Sequence, residues 1–224
     1  MRQKMKRLRL IVLVFLGSAL ICCATAPKSQ TKIVTAEECP SCYNRLKSIG
    51  QKVLPVIDPE NATKYRVGVL PNPEVNAFAI GPKYAIFFYM GLLSLMNDDE
   101  LAFVYGHEVA HIKLGHYQKQ AGASVATSAI FSAANVFVPG LGLLDYAVNP
   151  LVTRGFSRSQ EAEADQEAIR CLRVLSYPPE APASALEKLL EISKAKGNDK
   201  QAFWGILDTH PSLEDRIRKA KEVQ

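Results

Sequence analysis

A histidine pair that brackets a glutamate is the feature of this sequence with the clearest chemical meaning. Residues 107–111 read His-Glu-Val-Ala-His. Because residues four apart lie on one face of an α-helix, His107 and His111 can present two imidazoles to one zinc ion. Glu108 lies about 100° further around the helix, where it can activate a metal-bound water. The chain has only 4 histidines, which favours a catalytic zinc site over a structural or accidental pair.

A catalytic zinc ion needs a third protein ligand and an open fourth position. Residues 157–165 predict a second helix, on which Glu161 and Asp165 share a face. Glu161 can bind zinc, and Asp165 can accept a hydrogen bond from the free N–H of a ligating imidazole. Helical periodicity favours Glu161 as the ligand and leaves Glu163 as the alternative.

His210 and Arg216 are candidates for contact with the reacting substrate. His210 can donate a hydrogen bond to the oxyanion of the tetrahedral intermediate, with Arg216 as a positive partner. Two other interpretations stay open: His210 fills the open zinc position and holds the enzyme latent, or it is a turn histidine before a capped helix. His116 lies five residues after His111 and about 140° around the helix, which predicts packing or hydrogen bonding rather than metal binding.

Short apolar segments predict the elements that must position these residues. Three strands are expected at residues 65–70, 75–80 and 84–89, with Gly81-Pro82 as a hairpin-type breaker, and they form a small antiparallel sheet. Helices are expected at residues 43–53, from Asn97 as N-cap through about Gln120, at 157–172, at 180–196, and after Ser212. These elements predict one mainly helical α+β domain, residues 43–224.

The N-terminus predicts export. Five basic residues within residues 1–9 precede an apolar stretch that ends at Ile21 and is followed by Cys22 and Cys23. This pattern favours a lipoprotein-type signal at residues 1–23, with either cysteine acylated, over a retained anchor or plain secretion. Residues 24–42 read as a polar tether. The remaining 22 basic residues balance the 22 acidic ones, so charge gives no reason to expect nucleic acid as a partner.

Two further segments leave alternatives open. Cys39 and Cys42 form a CxxC without the strand-helix-strand pattern of a thioredoxin-like enzyme. A disulfide or an unused pair is expected there, and Cys171 can also pair with either of them. Residues 121–138 are uncharged and about long enough to span a bilayer, but their many small and polar residues favour a helical hairpin near the site or on the membrane surface.

The sequence resembles the HtpX-like and CAAX prenyl protease-type zinc metallopeptidases of peptidase family M48. The resemblance lies in four pieces that keep the family's order. Residues 106–111 carry the histidine motif, and residues 158–165 fit an R-x-x-E-x-x-A-D pattern. His210-Pro211 is followed by Arg216, and residues 76–79 resemble the strand that borders the site. Pro82 and Lys83 depart from the Gly-rich turn that is common in the family.

The resemblance implies a zincin-like endopeptidase with one zinc ion per chain, Glu161 as third ligand and Asp165 behind the imidazoles. It also implies an exported, lipoprotein-type member, with Glu108, His210 and Arg216 as the catalytic residues. We expect an outer-membrane lipoprotein that faces the periplasm, is held to the membrane by its N-terminal lipid and cleaves unfolded or misfolded envelope proteins. The alternative is a client-binding lipoprotein with a latent or structural zinc site.

Overall fold

Helices make up most of the described structure, which also contains a three-stranded sheet and a short two-stranded one. The computed structural model describes residues 33–122, 137–138, 142–143, 155–196, 210 and 212–223. Within these residues the helices are α1 (Pro40–Ile57), α2 (Met90–Leu95), α3 (Asp98–Lys113), α4 (His116–Gly122), α5 (Arg158–Val174), α6 (Ala181–Lys196) and α7 (Leu213–Glu222). The strands are β1 (Arg66–Leu70), β2 (Ala77–Ile80), β3 (Ala85–Tyr89), β4 (Phe137–Val138) and β5 (Gly142–Leu143). The predicted α+β class is confirmed.

The three-stranded sheet has the order β1-β3-β2 and mixed strand direction. β2 and β3 are antiparallel and are joined through Gly81–Lys83, whereas β1 and β3 are parallel. The prediction of a wholly antiparallel sheet is therefore wrong for the pair β1 and β3. The reason is the strand order. The connections from β1 to β2 and from β2 to β3 each reverse the chain, so β1 and β3 run in the same direction, and they form a parallel pair because β1 lies beside β3 rather than beside β2. The loop after β1 carries the chain across to the far side of β3.

The histidine motif lies on α3, which runs through the centre of the fold. α3 contacts α1, α5, α6 and β2, and every residue from Glu100 to Ile112 is buried. The predicted N-terminus is confirmed as a capping box: the Asn97 side chain accepts from the Glu100 N–H at 2.9 Å, and the Glu100 carboxylate accepts from the Asn97 N–H at 2.8 Å. A helix surrounded in this way keeps both motif histidines out of water.

The C-terminal end of α3 differs from the prediction of one helix through about Gln120. α3 ends at Lys113, because Gly115 adopts the left-handed region with φ of 67°. Glycine in this conformation just after the last turn is a common helix terminus. The chain restarts as α4 at His116, and the change of direction turns that histidine back toward α3.

The predicted helix that carries the acidic residues is confirmed as α5. Ser157 caps it, since its hydroxyl accepts from the Gln160 N–H at 3.3 Å and the Gln160 side chain accepts from the Ser157 N–H at 2.9 Å. The buried residues of α5 include Glu161, Asp165 and Ala168. They follow the i, i+4, i+7 spacing of one helix face, which is the face that α5 turns toward the core.

The segment predicted as a tether is partly folded. α1 begins at Pro40, inside residues 24–42, and proline is well suited to the first position of a helix. The Val34 N–H donates to the carbonyl of Val69 at 2.9 Å, so residues ahead of α1 pair with the end of β1.

The cysteines separate into one bonded pair and one thiol. Cys39 and Cys42 form a disulfide across the start of α1, which confirms one of the two interpretations of the CxxC. Cys171 is a buried free thiol, so the possible pairing of Cys171 with either of them is not present.

The helices of the described residues include none that is both long and apolar enough to cross a bilayer. The expectations for residues 1–23 and for most of residues 121–138 lie outside the described part of the chain.

Glu167 ties α5 to the end of α3, and its contribution to stability should depend on pH. Its carboxylate accepts hydrogen bonds from Arg170 and Lys113, and these cations lower its pKa from 4.5 to about 2. A lowered pKa contributes stability that is present above about pH 4.5 and is lost as the pH falls toward 2. We expect Glu167→Gln to cost less than about 1 kcal/mol at pH 7, since the cations are partly exposed.

Urea denaturation of both proteins between pH 7 and about pH 2.5 checks this expectation. The difference between their free energies of unfolding should shrink across the acid range. A difference that stays constant with pH would show that the ion pairs contribute nothing.

Candidate metal centre

Four buried side chains converge at one point in the fold. They are His107 and His111 from α3, Glu161 from α5 and His210. One ligand atom from each lies within 4.8 Å of the others. The two motif imidazoles face each other with Nε2 atoms 3.0 Å apart, and Nδ1 of His210 lies 3.0 Å from Glu161 Oε1 and 3.2 Å from His107 Nε2. The sequence-predicted ligands are thus brought together, and His210 joins them.

Close contact between α3 and α5 explains why Glu161 reaches the histidines. Gly106 lies against α5, and a Cβ at this position would be 3.4 Å from the Cβ of Ala168 and 3.3 Å from Ile57 Cδ1. Small residues at a crossing allow two helices to approach closely. Gly106 and Ala168 thus meet where the two helices cross, at a point where both side chains are small.

Asp165 contacts the imidazole of His107, one of the two motif imidazoles that the sequence offered as its partner. Its Oδ1 is 2.9 Å from Nδ1 of His107. Since Nε2 of His107 faces the other ligand groups, Nδ1 is the nitrogen that is free to donate. A carboxylate at this position fixes the tautomer and the orientation of a metal-binding imidazole.

Arg216 connects the carboxylates on the outer side of the cluster. Its Nε and Nη2 donate to the two oxygens of Asp165, both at 2.7 Å, and its Nη1 lies 2.7 Å from Glu161 Oε2. The side chain is almost fully buried. In this structure the guanidinium orients carboxylates, and its predicted contact with a substrate oxyanion stays a prediction.

Glu108 is fully buried beside the four ligand groups. Neither carboxylate oxygen has a hydrogen-bond partner within the described part of the chain, and the nearest cation-forming atom is His210 Nε2, 3.4 Å from Oε1. Burial raises the pKa of this carboxyl. Burying a carboxylate without a hydrogen-bond partner costs free energy. The carboxylate of Glu108 is therefore suited to accept a hydrogen bond from a bound polar group.

Burial and charged neighbours set the protonation of the ligands. Burial lowers the pKa of His111 well below its ordinary value, which keeps the ring neutral. Burial acts to raise the pKa of Glu161, but His210 and Arg216 outweigh it and lower that pKa. For His210 burial opposes the charge, and the neighbouring carboxylates raise its pKa nevertheless. A neutral imidazole and an ionised carboxylate are the forms that bind metal.

Two polar residues next to the cluster agree with the sequence interpretation, but their contact with each other was not predicted. His116, expected only to pack or to form hydrogen bonds, has its Nδ1 2.9 Å from Nδ1 of the ligand His111. Glu163, the alternative third ligand, lies outside the cluster, with Oε2 3.3 Å from Nε2 of His116. The sequence signal that could have found this arrangement is Gly115, which ends α3.

Phe156 forms an apolar wall of the site, and sequence reasoning did not single it out. Its ring stacks on His111 with centroids 3.8 Å apart. It also meets Tyr117 edge to face at 5.1 Å. Such a wall excludes water from one side of the ligand cluster and strengthens its electrostatics.

The residues fit a zinc ion. Two imidazole nitrogens and one carboxylate oxygen, from His107, His111 and Glu161, form a donor set that suits catalytic zinc, and His210 lies beside them. The buried carboxylate of Glu108 supplies the acceptor that a metal-activated water requires. The geometry therefore supports both metal binding and hydrolytic chemistry.

Comparisons with known proteins agree with this geometry. A profile of Peptidase family M48 matches residues 40–224. Metalloprotease LoiP of Escherichia coli strain K12 is 31% identical over 66% of this chain and 58% of its own length. Metalloprotease YcaL of the same organism is 28% identical over 72% of this chain and 63% of its own length. A protease HtpX homolog of Pyrococcus furiosus is 27% identical over 86% of this chain and 76% of its own length. The chain thus covers less than two thirds of LoiP and of YcaL.

Proposed function

The chain belongs to peptidase family M48, and we propose that it is a zinc-dependent endopeptidase whose metal is held by His107, His111 and Glu161. The observation that carries the proposal is the carboxylate of Glu108, buried beside the ligand cluster without a hydrogen-bond partner among the described residues. A buried carboxylate that lowers the stability of the fold is expected at a position where catalysis needs that carboxylate. LoiP and YcaL, which carry the name metalloprotease, support the same activity.

The protein's own residues supply the proton transfers and the orientation. When bound, zinc contributes Lewis-acid chemistry that activates water and polarises a carbonyl. Glu108 accepts the proton of the attacking water and passes it to the leaving amine as the C–N bond breaks. Burial raises the pKa of Glu108, which makes it a stronger base than an exposed glutamate. His210, with Arg216, donates toward the negative oxygen that develops on the substrate.

An extended substrate is proposed to pair with β2. β2 forms one edge of the sheet and contacts α3. The N–H of Ala79 donates to the hydroxyl of Tyr117 at 3.3 Å rather than to β3. A peptide that adds as a strand beside residues 76–80 can replace that hydroxyl with its own carbonyl.

The proposed setting is the cell envelope. The signal-like N-terminus predicts an outer-membrane lipoprotein that faces the periplasm and is anchored by its lipid, and the Cys39–Cys42 disulfide supports an oxidising compartment. Unfolded or misfolded envelope proteins are the proposed substrates. An extended chain is the form that can add to a sheet edge, which supports this substrate class.

Cleavage of an unfolded test protein distinguishes an endopeptidase from a protein that only binds unfolded clients. The purified chain is incubated with casein, with and without added zinc and with 1,10-phenanthroline as chelator. We expect zinc-dependent cleavage that the chelator abolishes and that zinc restores. Binding of casein without cleavage, at any zinc concentration, would contradict the endopeptidase.

A second candidate function has one observation in its favour. A ring nitrogen of His210 lies within 4.8 Å of the ligand atoms of His107, His111 and Glu161. If all four residues bound the zinc ion, the site would be closed, as structural zinc sites are. The alternative is thus a client-binding lipoprotein whose zinc is structural or latent.

The substitution His210→Ala separates these roles. Under the proposed function it should keep zinc, because three ligands remain, and lower kcat by about 10²-fold through loss of an oxyanion donor. Zinc content by atomic absorption and kcat by casein cleavage are measured together. Loss of zinc would favour the structural site, and a gain of activity would identify a latent enzyme that His210 blocks.

A further inference from the structure

A chain of hydrogen-bonding groups leads from the ligand His111 to the protein surface. Nε2 of His111 faces the other ligand groups. Its outer nitrogen, Nδ1, lies 2.9 Å from Nδ1 of His116, and Nε2 of His116 lies 3.3 Å from Oε2 of Glu163. Both imidazoles are fully buried, whereas the side chain of Glu163 is about half exposed.

The positions of the protons follow from these contacts. When Nε2 of His111 binds a metal, the ring's proton resides on Nδ1, which must donate. Nδ1 of His116 must then accept, so a neutral His116 carries its proton on Nε2. That N–H points at an acceptor, the Glu163 carboxylate. One arrangement of protons therefore satisfies every contact in the chain.

We propose that His116 and Glu163 are positioning residues that hold His111 in the tautomer and ring orientation needed for metal binding. The inference rests on the proposed function, since it assumes that His111 is a metal ligand. His107 is held by one direct carboxylate, Asp165. His111 is held instead through an intervening imidazole, so the two motif histidines are oriented by different means.

The fold around His116 is built for this contact. Gly115 breaks the helix with φ of 67° and turns His116 back onto α3. The side-chain amide of Gln160, on α5, donates to the backbone carbonyl of His116 at 3.5 Å. Glu163, about one turn further along α5, lies beside the imidazole of His116. Phe156 covers the face of the His111 ring but offers no hydrogen bond, so among the described residues it is His116 that supplies the hydrogen-bond partner of the outer nitrogen.

Zinc affinity is the direct readout. The full-length chain, as wild type and as variants, is titrated with zinc in competition with a chromogenic chelator, and the d–d spectrum of the cobalt-loaded protein reports ligand geometry. We expect His116→Ala to raise the Kd for zinc by about 10- to 100-fold and to change the cobalt spectrum. Glu163→Gln keeps an acceptor oxygen without the charge, so we expect a smaller loss of about 3- to 10-fold.

Two further variants separate positioning from general stability. His116→Asn places an amide oxygen near the position of Nδ1, where it can accept from His111, and should restore most of the affinity. Glu167→Gln is the matched control, because Glu167 also joins α5 to the end of α3, through Lys113 rather than an imidazole. Its zinc Kd should stay within about two-fold of wild type.

Three outcomes would overturn the proposal: a folded His116→Ala protein with wild-type zinc affinity and cobalt spectrum, an Asn variant as impaired as the Ala variant, or a loss in Glu163→Gln no larger than in Glu167→Gln. If His116→Ala does not fold, the comparison of the two glutamate variants decides. A wild-type protein that binds zinc but cleaves nothing contradicts the proposed endopeptidase alone, because the affinities are measured without substrate.

Discussion

Glu108→Gln is expected to keep one zinc ion per chain and to lose about 10²- to 10⁴-fold in kcat/KM. Glutamine has nearly the same shape as glutamate, so the ligand cluster should be unchanged. It cannot accept a proton from water, however, and cannot return one to the leaving amine. Casein cleavage measured alongside metal content checks both parts of the expectation. Wild-type turnover by this variant would overturn the assignment of Glu108 as base.

A matched control lies on the same helix. Glu100 is also buried, but its carboxylate accepts from the Ser184 hydroxyl at 2.6 Å and from Lys188 Nζ at 2.7 Å. We expect Glu100→Gln to leave kcat/KM unchanged and to lower the free energy of unfolding, because it weakens those contacts. Glu108→Gln should show the reverse, with lost activity and an apoprotein at least as stable as wild type, since an unpartnered buried carboxylate is removed.

The candidate ligand residues could be identified from the sequence because their geometry is local. His107 and His111 need only one helix, and Glu161 and Asp165 need only a second, so the spacing of 3.6 residues per turn fixes which side chains share a face. Both helices carry capping boxes at the predicted residues, Asn97 and Ser157. The distance between the helices was not in the pattern. It follows from tertiary packing at the crossing where Gly106 lies against Ala168.

The errors arose where one residue changes the direction of the chain. A single glycine within a helical pattern is often tolerated, so α3 was extended past Gly115, and the contact between His116 and His111 was not predicted. The contact of Glu163 with His116 was missed for the same reason, because it forms only when the chain turns at Gly115. For β3, the sequence showed a turn to β2 but not that β1 would pair with the other edge of β3.

The substitution Arg216→Leu is expected to lower the free energy of unfolding of the apoprotein by about 3–5 kcal/mol. Leucine keeps much of the apolar volume, but it leaves the buried carboxylates of Asp165 and Glu161 without their shared cation. Burial acts to raise the pKa of Asp165, and Arg216 outweighs it, so this pKa is lowered to about 2. Without the guanidinium it should rise. Urea denaturation of the metal-free proteins at pH 7 measures the loss.

The control and a second substitution establish that the loss comes from uncompensated charge. Arg218, on the same helix, pairs with Asp215 and Glu222 but is mostly exposed, so Arg218→Leu should cost less than about 1 kcal/mol. Adding Asp165→Asn to Arg216→Leu should recover part of the stability, because it removes one of the stranded charges. If lost packing were the cause, the effects of the two substitutions would add, and the double variant would be less stable than either single one.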